Sequence, residues 1–469
     1  MAAELKQFPL EANRGVVAAE LKQFPLEANR GVVAAELKQF PLEANHGVDE
    51  KSGLLCDLQG GAVNFEPLKV KAGERLIPLQ PELKYQLAMY SPEPDPQYIY
   101  TYSYPPEANL TKFCPDHSIF NWQTGSHIFA KEAYVRVILR AELEQGENTL
   151  ADFFRWESLS PLSDETGEEL PRWIEEEAER VAKRVQQCRR PDDLVFFLLT
   201  DIHYTTGCNW FCTAASLAAA KPRIQPDGVI QLGDITDGLL PTVWTQRYAD
   251  RVLADIRQLE LPLFGCLGNH DRNFFRGNTQ GLSLKACSQL CLGRDDPDYC
   301  IDYPEQRLRM IFLDSFDPER RERYGFSIKT LHHLLEMLDE TPYGWRVLIF
   351  SHVPPLARLH VWSNTILGSE DAMGLLHKFR RKRNGKVAWI HGHNHADQIF
   401  NGPGFPIVSL GCSKLEAFPE YKPEGSVTRM RRIGNPTQEL WDVLVFHTHG
   451  SDFDLIRYGA GPDRYVHMR

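Results

Sequence analysis

No apolar run in this 469-residue chain approaches the roughly 18 residues a membrane-crossing helix needs; the longest strongly apolar stretch, Leu194 to Leu199, is strand-sized. Cysteine is sparse: ten residues without dense regular spacing exclude a disulfide framework and read as reduced thiols. The opening Met1-Ala2-Ala3-Glu4-Leu5 has neither the basic stretch nor the apolar core of a signal peptide, so a cytoplasmic protein is expected. Basic charge is the minority sign, with 52 Lys and Arg against 63 Asp and Glu and a net charge of -11. That balance argues against a broad nucleic-acid or anionic-membrane surface. The one basic run, Lys378 to Lys386, is short, follows a helical stretch and fits a solvated helix end. The remaining composition is ordinary for globular proteins, and the length suits about three units at roughly 150 residues each.

The chain opens on a repeat. Ala2 to Val17 recurs letter for letter as Ala18 to Val33, and again as Ala34 to Val48 with His46 in place of Arg. Each copy carries a central proline (Pro9, Pro25, Pro41) and a late glycine, which interrupt a helix. Residues 1–60 are therefore expected to be a disordered or partly helical extension. From 61 to 150 apolar residues recur with period two, as in Tyr85, Leu87, Met89 and in Val135, Val137, Leu139, which predicts a small all-β sandwich. Its aromatic residues, Trp122 and Tyr98 to Tyr104 among them, fit a sandwich core, or a face that contacts carbohydrate or protein. Residues 151–190 read as a linker and an amphipathic helix, Pro171 to Cys188. From 191 to 469 short apolar runs alternate with helical stretches, an α/β domain with a buried sheet that ends in the β strands Trp441–His447 and Phe453–Tyr458.

Polar residues fall at telling places in that last domain. Five apolar strands each run into metal-type ligands: Asp201-Ile202-His203, Gly233-Asp234, Gly268-Asn269-His270-Asp271, Ser351-His352 and His391-Gly392-His393-Asn394-His395. Ligands of open α/β sheets bind beyond the carboxyl ends of the strands. Asp201, His203, Asp234, Asn269, His352, His393 and His395 make seven oxygen or nitrogen donors, too many for one transition metal. Two ions sharing one bridging carboxylate would take four donors each. Imidazole, carboxylate and amide without thiolate suit Mn, Fe, Zn or Co.

This ordered set resembles the calcineurin-like metallophosphoesterase superfamily, whose pattern is D-x-H, G-D, G-N-H-D/E, an isolated H, and G-H-x-H. The resemblance covers about Leu194 to Gly411. It implies a four-layer α/β/β/α sandwich, here preceded by the small all-β sandwich domain. It also implies that two divalent transition-metal ions are held, one by Asp201, His203, Asp234 and His395 and the other by Asp234, Asn269, His352 and His393. His270 would sit in the phosphate pocket, oriented by Asp271. The implied reaction is phosphomonoester or phosphodiester hydrolysis by a metal-bridging hydroxide, with His270 as general acid. Purple acid phosphatases carry tyrosine three residues after the G-D aspartate. Asp237 stands there in this chain, and the G-D-x-T-D-G form is similar to bacterial phosphodiesterases of the cyclic-nucleotide type.

The expected substrate is a small phosphoester, with no membrane partner. Two alternatives stand beside it: a metal-dependent nuclease of the same superfamily, against which the acidic balance argues, and a non-catalytic binding protein whose β-domain carries the function. Arg272, Asn273 and Arg276 are placed to bind phosphate or to brace their loop. Tyr204, Trp210 and Trp362 follow ligand strands and could stack a ring or pack the loops. His391, His447 and His449 read as structural, the last two because no carboxylate cluster accompanies them in the sequence. Cys287 and Cys291 are four apart, a weak metal signal alone.

Overall fold

A computed structural model of the chain describes Leu37, Ser52 and residues 39–49, 54–71, 74–80, 83–92, 97–104, 118–121, 126–129, 132–139, 148–157, 171–204, 209–238, 242–274, 281–415, 422–432 and 434–469. The first two repeat copies, Trp122, Arg276 and the side chains of Tyr98 to Tyr104 lie outside what is described. Among the described residues no helix is long and apolar enough to cross a membrane.

The first 157 residues contribute two β-sheets. One holds β1 (Leu42–Val48), β2 (Leu55–Asn64), β9 (Ala133–Leu139), β5 (Tyr85–Tyr90) and β6 (Tyr98–Tyr104) in that order, with β3 (Leu68–Val70) also paired to β9. The other runs β10 (Phe154–Glu157), β4 (Arg75–Pro78), β8 (Ser126–Phe129), β7 (Ser118–Asn121). Leu87, Met89, Val135 and Val137 of the first sheet share one core with Leu76, Phe129 and Trp156 of the second, which makes the sandwich.

Two boundaries move. The expected extension of residues 1–60 does not survive in its last third: Leu42–Val48 of the third repeat copy form β1, and Leu37 and Leu42 enter the sandwich core. Leu42-Glu43-Ala44-Asn45-His46-Gly47-Val48 has no period-two signal, because Asn45 at a φ of 62° breaks the register between Ala44 and His46. Pairing with β2 makes it a strand, and the copy's one changed letter, His46, faces Asp57 across that pair at 3.4 Å. The second boundary is the linker. Residues 151–190 hold β10, a sandwich strand, and then a helix that packs on the α/β domain.

That domain is built on two six-stranded sheets. The first is β13 (Leu263–Gly265), β12 (Gly228–Gln231), β11 (Leu194–Leu199), β20 (Leu440–Phe446), β21 (Asp452–Gly459), β22 (Arg464–His467). The second is β14 (Tyr299–Tyr303), β15 (Leu308–Leu313), β16 (Arg346–Ser351), β17 (Lys386–His391), β19 (Ile407–Ser409), β18 (Gln398–Phe400). Side-chain alternation decides the layering. On β11, Leu194, Phe196 and Leu198 meet Phe312, Phe350 and Ile390 of the facing sheet. Val195, Phe197 and Leu199 turn outward to helices α1 (Arg172–Cys188), α2 (Trp210–Ile224), α3 (Thr242–Arg257) and α4 (Leu284–Leu292). Helices α5 (Ile328–Glu340) and α6 (Ser369–Arg383) cover the second sheet's outer face. The result is the expected four-layer α/β/β/α sandwich. Strands β11, β12 and β13 are mutually parallel, as are β15, β16, β17 and β19, so each set delivers its carboxyl ends to one edge.

His447 lies at the opposite edge, where Phe446 pairs with Leu194. The reading that no carboxylate accompanies it is corrected: Nδ1 is 2.8 Å from Asp193 Oδ2 and Nε2 is 3.1 Å from Asp454 Oδ2. Sequence hides this clamp because the acids come from residues 193 and 454, on other strand ends. The hydrogen bond to Asp454 outweighs burial, and together with Asp193 it lifts the imidazole to about 9. Arg346 faces the same turn through the His447 carbonyl at 2.6 Å, and the nearby Cys188 thiol, pushed up to about 12, stays neutral. A raised histidine stabilises the fold below its unfolded value near 6.5 and loses that contribution as pH rises through the folded value. His447→Gln is therefore expected to lower Tm at pH 6, and the gap to wild type should narrow toward pH 9.5. A pH-independent gap in paired melting curves contradicts the clamp.

Candidate metal centre

The five strand ends bring all seven expected donors together. Asp201 and His203 follow β11, Asp234 follows β12, Asn269 follows β13, His352 follows β16, and His393 and His395 follow β17. Asp201, His203, Asp234, His393 and His395 all adopt positive φ, from 45° at His203 to 68° at His393. Non-glycine residues rarely take that conformation, at a cost of about 1–3 kcal/mol each, and it gathers where side chains must be aimed. Two glycines let the ends close up. A β-carbon on Gly268 would collide with the Asp234 backbone and carboxylate, and one on Gly392 with the Thr200 hydroxyl.

The donors fall into two groups around Asp234. In one, His395 Nε2 is 3.1 Å from Asp201 Oδ1 and 3.1 Å from His203 Nε2. In the other, His352 Nε2 is 3.2 Å from Asn269 Oδ1 and 3.1 Å from His393 Nδ1. Asp234 Oδ2 reaches both, 3.6 Å from His203 Nε2 and 3.1 Å from His352 Nε2. Outer partners fix the rings. His352 Nδ1 lies 2.8 Å from the Leu232 carbonyl, so it donates there and Nε2 faces the centre. Asp201 Oδ2 accepts from the Thr200 hydroxyl at 2.6 Å and from the His393 N–H at 2.9 Å.

Electrostatics follow from crowding in a buried place. Burial opposes the charge on Asp234, but His352 and His270 overcome it and hold the carboxyl down at about 2. His395 and His352 likewise hold Asp201 well below the usual carboxylate range against burial. His352 moves the other way: burial lowers it, yet Asp234 and Asp201 prevail and raise it to about 9. Burial and the neighbouring His360 imidazole push His393 well down. Two carboxylates kept ionised and inward-facing nitrogen and oxygen atoms without sulfur fit two divalent cations.

Around this core some assignments change. Asp271 does not orient His270. Both of its oxygens are used on backbone N–H groups, those of Asp234 at 2.9 Å, Ile235 at 2.7 Å and Gly268 at 2.8 Å, so it ties the β12 and β13 loops together. Sequence adjacency misled because consecutive residues in this turn point apart. Burial and the Asp234 charge raise the Asp271 carboxyl to about 6. What fixes the His270 ring is the Asp237 carbonyl, 2.5 Å from Nδ1. Burial pushes the His270 imidazole down.

Arg272 gives its Nε–H to the Leu282 carbonyl at 2.9 Å, and Asn273 Oδ1 accepts from the Thr245 hydroxyl at 2.7 Å; both brace the loop. Trp210 is buried with Nε1 on Asp255, and Tyr204 packs against Tyr248. His391 is buried beside the centre with Nδ1 on the Gly392 carbonyl. Cys287 and Cys291 are buried among the outer helices.

Three side chains at the site escaped the sequence reading. In the sequence Asp237 stands out only as a replacement for tyrosine; its Oδ1 stands 3.1 Å from His203 Nδ1 and 3.2 Å from Lys414 Nζ. Lys414 follows β19, a strand whose sequel could have been read by the same rule as the other five. His360, with Nε2 3.0 Å from His393 Nε2, sits in an irregular segment that no spacing marks.

Residues 194–397 match the calcineurin-like phosphoesterase family. No curated protein matches the chain significantly. Among solved structures the chain is similar to a dimetal phosphatase from Danio rerio, at 17% identity over 59% of this chain and 99% of that one, with a TM-score of 0.42. It is similar to a phosphatase from Mycoplasma pneumoniae, at 10% identity over 59% and 93%, TM-score 0.27. It is also similar to the phosphopantetheinyl hydrolase of Mycobacterium tuberculosis, at 11% identity over 47% and 90%, TM-score 0.29.

Proposed function

We propose that the chain is a metal-dependent phosphoesterase, built on the calcineurin-like match of residues 194–397, and that it hydrolyses a small phosphomonoester or phosphodiester with His270 as general acid. The observation that supports this most directly is the position of Asp234 Oδ2, within reach of both donor groups and 4.0 Å from His270 Nε2. Asp201, His203, Asp234 and His395 would hold one divalent ion, and Asp234, Asn269, His352 and His393 the other. When bound, the ions supply Lewis acidity and a nucleophile at neutral pH.

The protein's own groups do the rest. His270 Nδ1 donates to the Asp237 carbonyl, which leaves Nε2 to carry the proton a poor leaving group requires. Asp271 holds the loops that carry Asp234 and His270 in register. Lys414, part-exposed beside Asp237, offers a cation to the substrate's negative charge.

Loss of His270 is the discriminating test. His270→Ala is expected to retain about two metal ions per chain while kcat falls roughly 10²–10⁴-fold on alkyl esters. The loss should be smaller on p-nitrophenyl phosphate or its bis-ester, whose leaving group needs no proton. Elemental analysis and steady-state kinetics measure both. An equal loss on good and poor leaving groups, with metals intact, assigns His270 to the phosphoryl charge instead.

A further inference from the structure

Aromatic side chains line one flank of the centre, and one of them is left uncovered. The Trp362 ring lies 4.8 Å from His393 and 6.3 Å from His395, centroid to centroid, yet the residue is 55% exposed. Tyr324 stands 5.2 Å from His393, followed by Phe316 at 5.6 Å from Tyr324 and Phe274 at 5.7 Å from Phe316. This arc runs from the β17 ligands round to the loop just past His270. The opposite flank, by His203, carries the charged pair Asp237 and Lys414.

Trp362 is held as a platform. Its backbone N–H donates to His360 Nδ1 at 3.0 Å, and His360 Nε2 meets His393 Nε2 at 3.0 Å. The other two ring candidates from the same kind of loop, Tyr204 and Trp210, are packed against helix α3. An indole at the mouth of a polar centre is a costly place to leave apolar surface in water, and a flat partner would cover it.

We propose that the substrate's leaving group is a flat ring system, nucleobase or aryl, that stacks on Trp362 while its phosphate occupies the centre. The proposal rests on the phosphoesterase reading and adds the substrate class. Stacking a base on an aromatic side chain contributes about tenfold or more in affinity.

Matched pairs isolate the ring. Adenosine 5′-monophosphate and ribose 5-phosphate differ in the base, while 1-naphthyl and phenyl phosphate differ in ring area. Holoenzyme is expected to favour the larger-ringed member of at least one pair by about tenfold in kcat/KM. Trp362→Ala should remove most of that preference through KM, and Trp362→Phe should restore much of it. A preference in the first pair identifies a nucleoside, and one confined to the second identifies an aryl ester. Equal treatment of both pairs by wild type, or an equal loss on both members in Trp362→Ala, overturns the proposal. If no substrate turns over with metal loaded, the phosphoesterase reading fails by itself. Calorimetric affinities for the same pairs, in wild type and Trp362→Ala, then decide the stacking claim by the same criterion.

Discussion

Asparagine in place of Asp234 is expected to lower kcat/KM by roughly 10³-fold or more and to reduce bound metal from about two ions per chain to one or none. The size of the effect comes from orientation as well as charge. Asp234 Oδ1 accepts the His270 backbone N–H at 2.8 Å. An asparagine must keep its carbonyl oxygen there, because an amide NH₂ cannot accept. Its nitrogen then takes the place of Oδ2, the atom 3.1 Å from His352 Nε2 and 3.6 Å from His203 Nε2. A donor would replace the shared acceptor, and the negative charge that offsets the cations would be gone. The β12 turn keeps its hydrogen bond, so the variant should fold with a Tm near or above that of metal-free wild type. Elemental analysis alongside kinetics tests the claim. Two ions per chain with activity within tenfold of wild type would refute the bridging role.

The candidate metal donors are legible in the sequence because each sits directly after a short apolar run, and a parallel sheet turns sequence position into spatial convergence. The four layers followed from alternation of the kind seen on β11, where both parities are apolar because both faces are covered. What stayed hidden depended on partners far apart in the chain. Strand β1 has little intrinsic preference and forms because β2 is beside it. The role of Asp271 is not legible because a backbone-binding carboxylate and a side-chain-orienting one are the same letter. The clamp on His447 joins residues separated by more than two hundred positions. His360 reaches the centre from a segment whose route no periodicity encodes.

The same limit applies to the ion cluster behind the centre, which is expected to govern stability. Arg457 is fully buried; its guanidinium meets Asp442 Oδ1 at 2.9 Å and both oxygens of Asp397, at 2.8 and 3.0 Å. Arg464 bonds Asp442 Oδ2 at 2.6 Å, and Arg429 lies 3.2 Å from Asp397 Oδ2. The cluster fastens β20, β21 and β22 to the loop after β17, two residues beyond His395. Arg457→Ala leaves two buried carboxylates short of a partner and a cavity beside them, which is expected to cost about 3–5 kcal/mol and to lower Tm by roughly 10 °C. Arg457→Lys keeps the charge but not the planar fork that serves both carboxylates, so its loss should be smaller but still clear. Thermal melts of the three proteins, each loaded with metal, measure the order. A drop of under about 1 kcal/mol for Arg457→Ala, the scale of an exposed pair, would mean that water reaches the cluster. Metal content measured below the transition separates the two functions of this region. A destabilised variant that still binds about two ions shows that Asp397 anchors the fold without setting the His395 geometry, whereas loss of one ion shows that the cluster also aims the ligand.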